Sequence, residues 1–179
     1  PEHARHAVQA ALRCRERLDE LNTTQAFQGR RIAHRIGLNS GEALVGNIGS
    51  RRRFNYTAMS DAVNLASRLE GANKYFGTDI LVSEMTVAQT GDEFAWREID
   101  AIRVKGRQQP VKVFAPLAEQ GRQTAEQSAR SATYACGLAA WRERDFAGAA
   151  ACFASIAALD PPAALFERRA VALADQPPA

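Results

Sequence analysis

From Ala4 to about Leu21, apolar residues fall at Ala4, Val8, Ala11, Leu12, Cys14, Leu18 and Leu21. The spacing is mostly helical, with one apolar stripe and charges elsewhere, so it predicts an amphipathic helix. Asn22-Thr23-Thr24 end it, and a polar loop runs to about Arg30. Ile32, His34, Ile36 and Leu38 then alternate with Arg31, Ala33, Arg35 and Gly37. A period of two predicts a strand with one buried face. Asn39-Ser40-Gly41 is turn chemistry. It leads into a second strand, Glu42 to Ile48, expected to pair with the first as a β-hairpin. A third strand is expected over Arg51 to Met59, entered through the basic tip Arg51-Arg52-Arg53.

Ser60 or Asp61 can cap the next helix, because either side chain can accept from the free N–H groups of its first turn. Ala62, Leu65, Ala66, Leu69, Ala72 and Phe76 form the apolar face of that helix, which is expected to end near Tyr75 with Gly77 as its stop. A short strand is expected over Asp79 to Ser83 and a short helix over Glu84 to Thr90. A last pair of strands, Phe94 to Val104 and Pro110 to Leu117, is expected around Lys105-Gly106. The alternation of strands and helices predicts an α/β class, an α+β sandwich with helices packed on a sheet.

Beyond residue 117 the pattern changes. Residues 118–130 are polar and read as a linker or a frayed helix. Residues 131–175 are alanine-rich and helical in pattern, an all-α C-terminal tail. Gly137, Ala149, Phe153 and Pro161 sit at offsets that resemble one tetratricopeptide repeat, with Asp145 at the turn. Ala163 to Ala174 would be a third helix, followed by the loose end Gln176-Pro177-Pro178-Ala179.

Composition narrows the classes. Of 179 residues, 46% are hydrophobic and 24% charged, ordinary globular usage, so the chain can bury a core. The net charge of +3 is spread along the chain. It allows an anionic ligand, and no nucleic-acid partner is expected. Cys14, Cys136 and Cys152 are far apart in sequence and in no metal spacing, so they are expected to be reduced thiols in a cytoplasmic setting. His3 and His6 share a helix face without a third ligand nearby, which favours two exposed histidines over a metal site. No apolar run reaches the ~20 residues of a membrane span. The chain opens on Pro1, inside or just before a helix, and is expected to be a piece of a longer protein.

The chemistry concentrates between Arg35 and Glu70, in RIGLNSGEALVGNIGS followed by RRRFNYTAMSDAVNLASRLE. Asn64 and Arg68 are four apart on a predicted helix, opposite Leu65 and Leu69, so an amide and a guanidinium project together away from the core. The planar guanidinium suits phosphate oxygens, and the amide can donate and accept toward a sugar. Taken by itself, such a pair is more often a solvated face than a site. Gly37, Gly41, Gly46 and Gly49 punctuate the preceding strands, where glycine marks turn geometry, a bulge or the close approach of a ligand. No GxxxxGK[ST] element is present, which excludes a P-loop.

The ordered series RIGLNSGEALVGNIGS, FNYTAMSDAVNLASRLE and VKG resembles the later half of class III adenylate and guanylate cyclase domains, over about residues 4 to 117. The resemblance implies the ferredoxin-like cyclase fold, here N-terminally truncated. It implies that Asn64 orients the ribose and that Arg68 stabilises charge on the phosphates. It implies that Lys105 contacts the terminal phosphates and that Thr57 helps select the base. The family has glycine where this chain has Ser60, just before Asp61. The metal-binding aspartates and the adenine-reading lysine of the family belong to segments upstream of this chain.

The implied reaction forms cyclic AMP and pyrophosphate from ATP in intracellular signalling. Two Mg²⁺ or Mn²⁺ ions would serve the full-length enzyme, and none is expected to bind this fragment alone. Implied partners are ATP and a second copy, in a homodimer with shared active sites. The domain order, with ANKYFGT and a helical tail, resembles bacterial cyclases anchored to a membrane through an upstream segment. Two rivals stay open: a guanylate cyclase, and a degenerate domain that senses nucleotide or dimerises while its helical tail binds a protein partner. A repeat scaffold alone ranks lowest, because stacking takes about three repeats.

Overall fold

A computed structural model describes residues 2–50, 53–103 and 109–176. The chain runs α1 (His3–Asn22), β1 (Ile36–Leu38), β2 (Leu44–Ser50), β3 (Arg53–Met59), α2 (Asp61–Phe76), β4 (Ile80–Ser83) and α3 (Glu84–Val87). It continues through β5 (Phe94–Ile102), β6 (Val111–Glu119), α4 (Ala125–Arg142), α5 (Phe146–Ala154), a 3-10 turn (Ala157–Leu159) and α6 (Pro161–Asp175). The main sheet has the order β1-β4-β6-β5. β1 and β4 are parallel, and the other pairs are antiparallel. β2 and β3 form a separate antiparallel pair.

This pairing corrects the expected hairpin. β1 does not pair with β2: it lies beside β4, with Ile36 opposite Ile80 and Leu38 opposite Val82. The hairpin is β2–β3, with Gly46 opposite Thr57 and Leu44 opposite Met59. The strand expected from Ile32 is also shorter. The Asn22 side chain donates to the Ile32 carbonyl and accepts from its N–H, both at 2.8 Å. An amide side chain thereby satisfies the backbone group that a neighbouring strand would have bonded.

Helices cover both faces of the sheet. On one face Val8, Ala11 and Leu12 of α1 pack with Ile80, Val82 and Phe94. On the other, Leu65, Leu69 and Phe76 of α2 pack with Leu81, Ile99, Val111 and Val113. The alternation Ile80, Leu81, Val82 sends successive side chains to opposite layers, as strand geometry dictates.

The C-terminal helices are part of this second layer. The polar stretch 118–130 is divided: β6 runs to Glu119, and α4 starts at Ala125 behind a capping box of Thr124 and Gln127. Tyr134, Leu138, Phe153 and Phe166 are buried in one continuous cluster with the sheet residues. β5 bulges between Glu98 and Asp100, which takes Ile99 out of the ladder. The Ile99 carbonyl accepts instead from the Tyr134 hydroxyl at 2.9 Å. Burial holds that phenol well above its ordinary pKa, so it stays a donor. Arg97 of β5 makes a bidentate ion pair with Asp160, at 2.5 and 2.8 Å, and its guanidinium lies 4.2 Å from the Tyr134 ring centre. Asp160 also caps α6 by accepting from the Ala163 N–H. Among the described residues, no helix is long and apolar enough to cross a membrane.

Candidate active site

The helix α2 carries the candidate pair, and its ends form as the sequence predicts. Ser60 caps it by accepting from the Val63 N–H at 3.2 Å, and Gly77 ends it with φ +72°. Ser60 itself has φ −176°, extended backbone that any residue adopts, so serine replaces the family's glycine without strain.

Three contacts fix α2 against β1. Asn73, fully buried, donates to the Ile36 carbonyl at 2.9 Å and to the Leu69 carbonyl at 3.0 Å, and accepts from the Thr78 hydroxyl. Asn39, just past β1, donates to the Ala62 carbonyl at 2.9 Å. A Cβ on Gly37 would stand 2.2 Å from the Ala66 carbonyl oxygen and 2.4 Å from the Glu70 nitrogen. Gly37 is therefore the point where strand backbone meets helix backbone. The glycine signal in the sequence belongs here to packing, not to a phosphate cradle. Asn73 escaped the sequence reading, and Asn39 was read as turn chemistry without its tie to α2. A polar residue four after Leu69 on the buried stripe was the one signal for Asn73.

With its inner face locked, α2 presents Asn64 and Arg68 outward, and both are exposed. Leu65 and Leu69, one position along from each, are 1% and 0% exposed. Thr57 is exposed on β3, which leads directly into the Ser60 cap. By strand alternation it shares a hairpin face with Met59 and Leu44. The structure brings Thr57, Asn64 and Arg68 onto one continuous segment of strand, cap and helix. Lys105 lies outside the described residues. His3 and His6 are exposed on α1.

Around this segment the surface is apolar. Leu44 is 71% exposed, Tyr56 77% and Met59 56%, with Val45 and Val63 beside them. Both faces of the β2–β3 hairpin therefore carry uncovered hydrophobic area of the kind that marks an interaction surface. Among the described residues, no three His, Cys, Asp or Glu side chains come together as metal donors. These residues by themselves do not fit a two-cation centre.

The family model for the adenylate and guanylate cyclase catalytic domain matches residues 1–116. Adenylate cyclase 1 of Rhizobium meliloti is 42% identical over 113 residues, which is 63% of this chain and 17% of that protein. The adenylate cyclase of Anabaena cylindrica is 34% identical over 116 residues, 60% of this chain and 23% of its own length. The crystal structure of the adenylyl cyclase CyaB from P. aeruginosa superposes with a TM-score of 0.57 at 31% identity, covering 68% of this chain and 62% of that one. The guanylate cyclase domain of RhGC from Catenaria anguillulae, in complex with GTP, gives a TM-score of 0.53 at 29% identity, covering 67% and 62%. The chain thus spans less than a quarter of these curated relatives. With the family model covering residues 1–116 of 179, this chain belongs to the adenylate and guanylate cyclase catalytic domain family.

Proposed function

We propose that the complete protein is a class III cyclase that converts ATP to cyclic AMP and pyrophosphate, and that this chain supplies one side of its active site. The carrying observation is the pair Asn64 and Arg68, exposed on a helix whose opposite face is locked to the sheet. In the proposed reaction the nucleotide 3′-hydroxyl attacks the α-phosphorus and pyrophosphate leaves. Negative charge grows on the phosphate oxygens, and a guanidinium held in place beforehand stabilises it. Arg68 is assigned that role. Asn64 orients the ribose, Thr57 faces the base and Lys105 holds the terminal phosphates.

The other side of the site, with two Mg²⁺ or Mn²⁺ ions, would come from upstream sequence and a second copy. The uncovered apolar hairpin of Leu44, Tyr56 and Met59 supports a homodimer, since such area is normally covered by a partner. A bacterial type is supported by the likeness to the Rhizobium meliloti relative, and the upstream membrane anchor belongs to the proposal through the domain order alone. Residues 1–117 form the cyclase unit in this reading, and 131–175 a tetratricopeptide-repeat-like unit. The latter is supported by Gly137 packed on the Phe153 ring and by buried Ala149. That unit is docked on the sheet, so a protein partner would meet its outer side, where Leu159 is exposed.

The complete protein is expected to form cyclic AMP from ATP with Mn²⁺, whereas residues 1–179 alone are expected to form none. Cyclic AMP production by the purified chain would overturn the assignment of the missing donors to upstream sequence. An inactive complete protein would favour the nucleotide-sensing rival.

Thr57 gives a substrate test. Adenine presents an amino group and guanine a carbonyl, and a hydroxyl can serve either. In the complete protein ATP is expected to be preferred over GTP. Thr57→Ala removes one neutral hydrogen bond, worth about 0.5–1.5 kcal/mol, so the preference in kcat/KM should fall roughly tenfold at most. An unchanged ratio would move base selection to other residues.

A further inference from the structure

Cys136 and Cys152 are separated in sequence, yet their sulfurs lie 3.3 Å apart across the α4–α5 hairpin. The approach is imposed by the packing beside them. A Cβ on Gly137 would meet the Phe153 ring at 2.9 Å, so the absence of a side chain there lets the two helices close. Phe153 is fully buried beneath, and Ala149 one turn earlier on α5 is fully buried as well. Cys136 and Cys152 are the neighbours of Gly137 and Phe153 on the outer side of the same contact. Cys136 is exposed and Cys152 half-buried. Cys14 stands on α1, in the layer on the other face of the sheet, away from this pair.

We propose that Cys136 and Cys152 are a redox-reversible dithiol that closes to a disulfide clasp joining α4 and α5. The oxidant class is a low-molecular-weight disulfide. The exposed Cys136 thiolate attacks one of its sulfurs, forming a mixed disulfide and releasing one thiolate, which takes up a proton. The Cys152 thiolate then attacks the Cys136 sulfur, forming the intramolecular bond and releasing the second thiolate. Two cysteine thiols lose two electrons and two protons, and the small disulfide becomes two thiols. The second step needs little motion, because the sulfurs must close from 3.3 Å by only about 1.3 Å. The hydrogen bond with Cys136 raises the Cys152 pKa, with burial adding to it. Cys136 is the more exposed of the two and meets the small disulfide first, which leaves Cys152 beside it to resolve the mixed disulfide. Clasp formation should quicken as pH rises, since the thiolate is the attacking species.

Trypsin gives a direct readout, because Arg142 and Arg144 lie between the two cysteines. The complete protein is treated with oxidised glutathione, its remaining thiols are alkylated, and the peptides are mapped without reduction. The expected dominant product links the peptide Ser131–Arg142 to the peptide Asp145–Arg168, with a loss of about 2 Da and no glutathione, and dithiothreitol reverses it. Cys136→Ser and Cys152→Ser should each abolish the link and leave a glutathione adduct on the remaining thiol. Cys14→Ser should leave the link intact. A lasting glutathione adduct on Cys136 in the unmutated protein would overturn the proposal. So would a link from Cys136 to Cys14 or to a second molecule as the main product.

Discussion

Arg68→Ala in the complete protein is expected to lower kcat by on the order of 10²-fold or more, as for the loss of one fixed donor at developing charge. The KM for ATP should move less, because the contact strengthens mainly as charge builds in the transition state. The expectation rests on how firmly α2 is held. Asn73 ties its buried face to the Ile36 carbonyl, Asn39 ties its first turn, and Gly37 brings strand and helix backbones together. A guanidinium on such a helix needs little reorganisation when charge appears. Arg68→Lys keeps the charge without the planar fork, so it should recover only part of the loss. Steady-state kcat and KM for the three proteins decide the matter. Near-normal kcat with a strongly raised KM in Arg68→Ala would make Arg68 a ground-state phosphate contact.

The helix that carries Asn64 and Arg68 was readable from local signals. Ser60, the stripe through Leu65 and Leu69, and Gly77 are each interpretable within one or two turns, and all three behave as read. The strand partners were not local. Alternation at Ile32 to Leu38 speaks of a buried face but not of a neighbour, and the neighbour of β1 proved to be β4, across the β2–β3 hairpin and α2. Ile32 itself, 42% exposed, was taken over by the Asn22 amide, a side-chain bond that no periodicity reports. Of the candidate site, the segment from Thr57 to Arg68 was legible because it is contiguous. What holds it was less so: Asn73 was not singled out, and Gly37 left turn geometry, a bulge and the approach of a ligand all open. The sheet-docked position of α4 to α6 was invisible for the same reason. It rests on pairs such as Arg97 with Asp160 and Tyr134 with Ile99, whose members lie far apart in sequence.

Asp160→Ala is expected to be the most destabilising single change in the helical layer. The Arg97 and Asp160 side chains are 10% and 4% exposed, so the pair is shielded from solvent. Removing one partner of a buried pair leaves the other charge uncompensated, at a typical cost of about 3–5 kcal/mol. Asp160 also caps α6, and loss of a cap costs about 1 kcal/mol more. The two terms share one side chain and need not add in full. The pair joins β5 to the start of α6, where Pro161 packs against Gly77 at the end of α2. Its loss should therefore loosen the helices from the sheet before the sheet itself melts. Urea unfolding should show a lower midpoint, with limited proteolysis appearing first between β6 and α4. Asp160→Asn combined with Arg97→Met is the informative control. Asparagine keeps the cap, and methionine removes the stranded charge while filling apolar space, so much of the stability should return. If Asp160→Ala costs less than about 1 kcal/mol, the ion pair does not hold the layer and apolar burial of Tyr134, Phe153 and Phe166 does so alone. If the double variant is no better than Asp160→Ala, the loss comes from the missing pair itself, not from an unpaired Arg97.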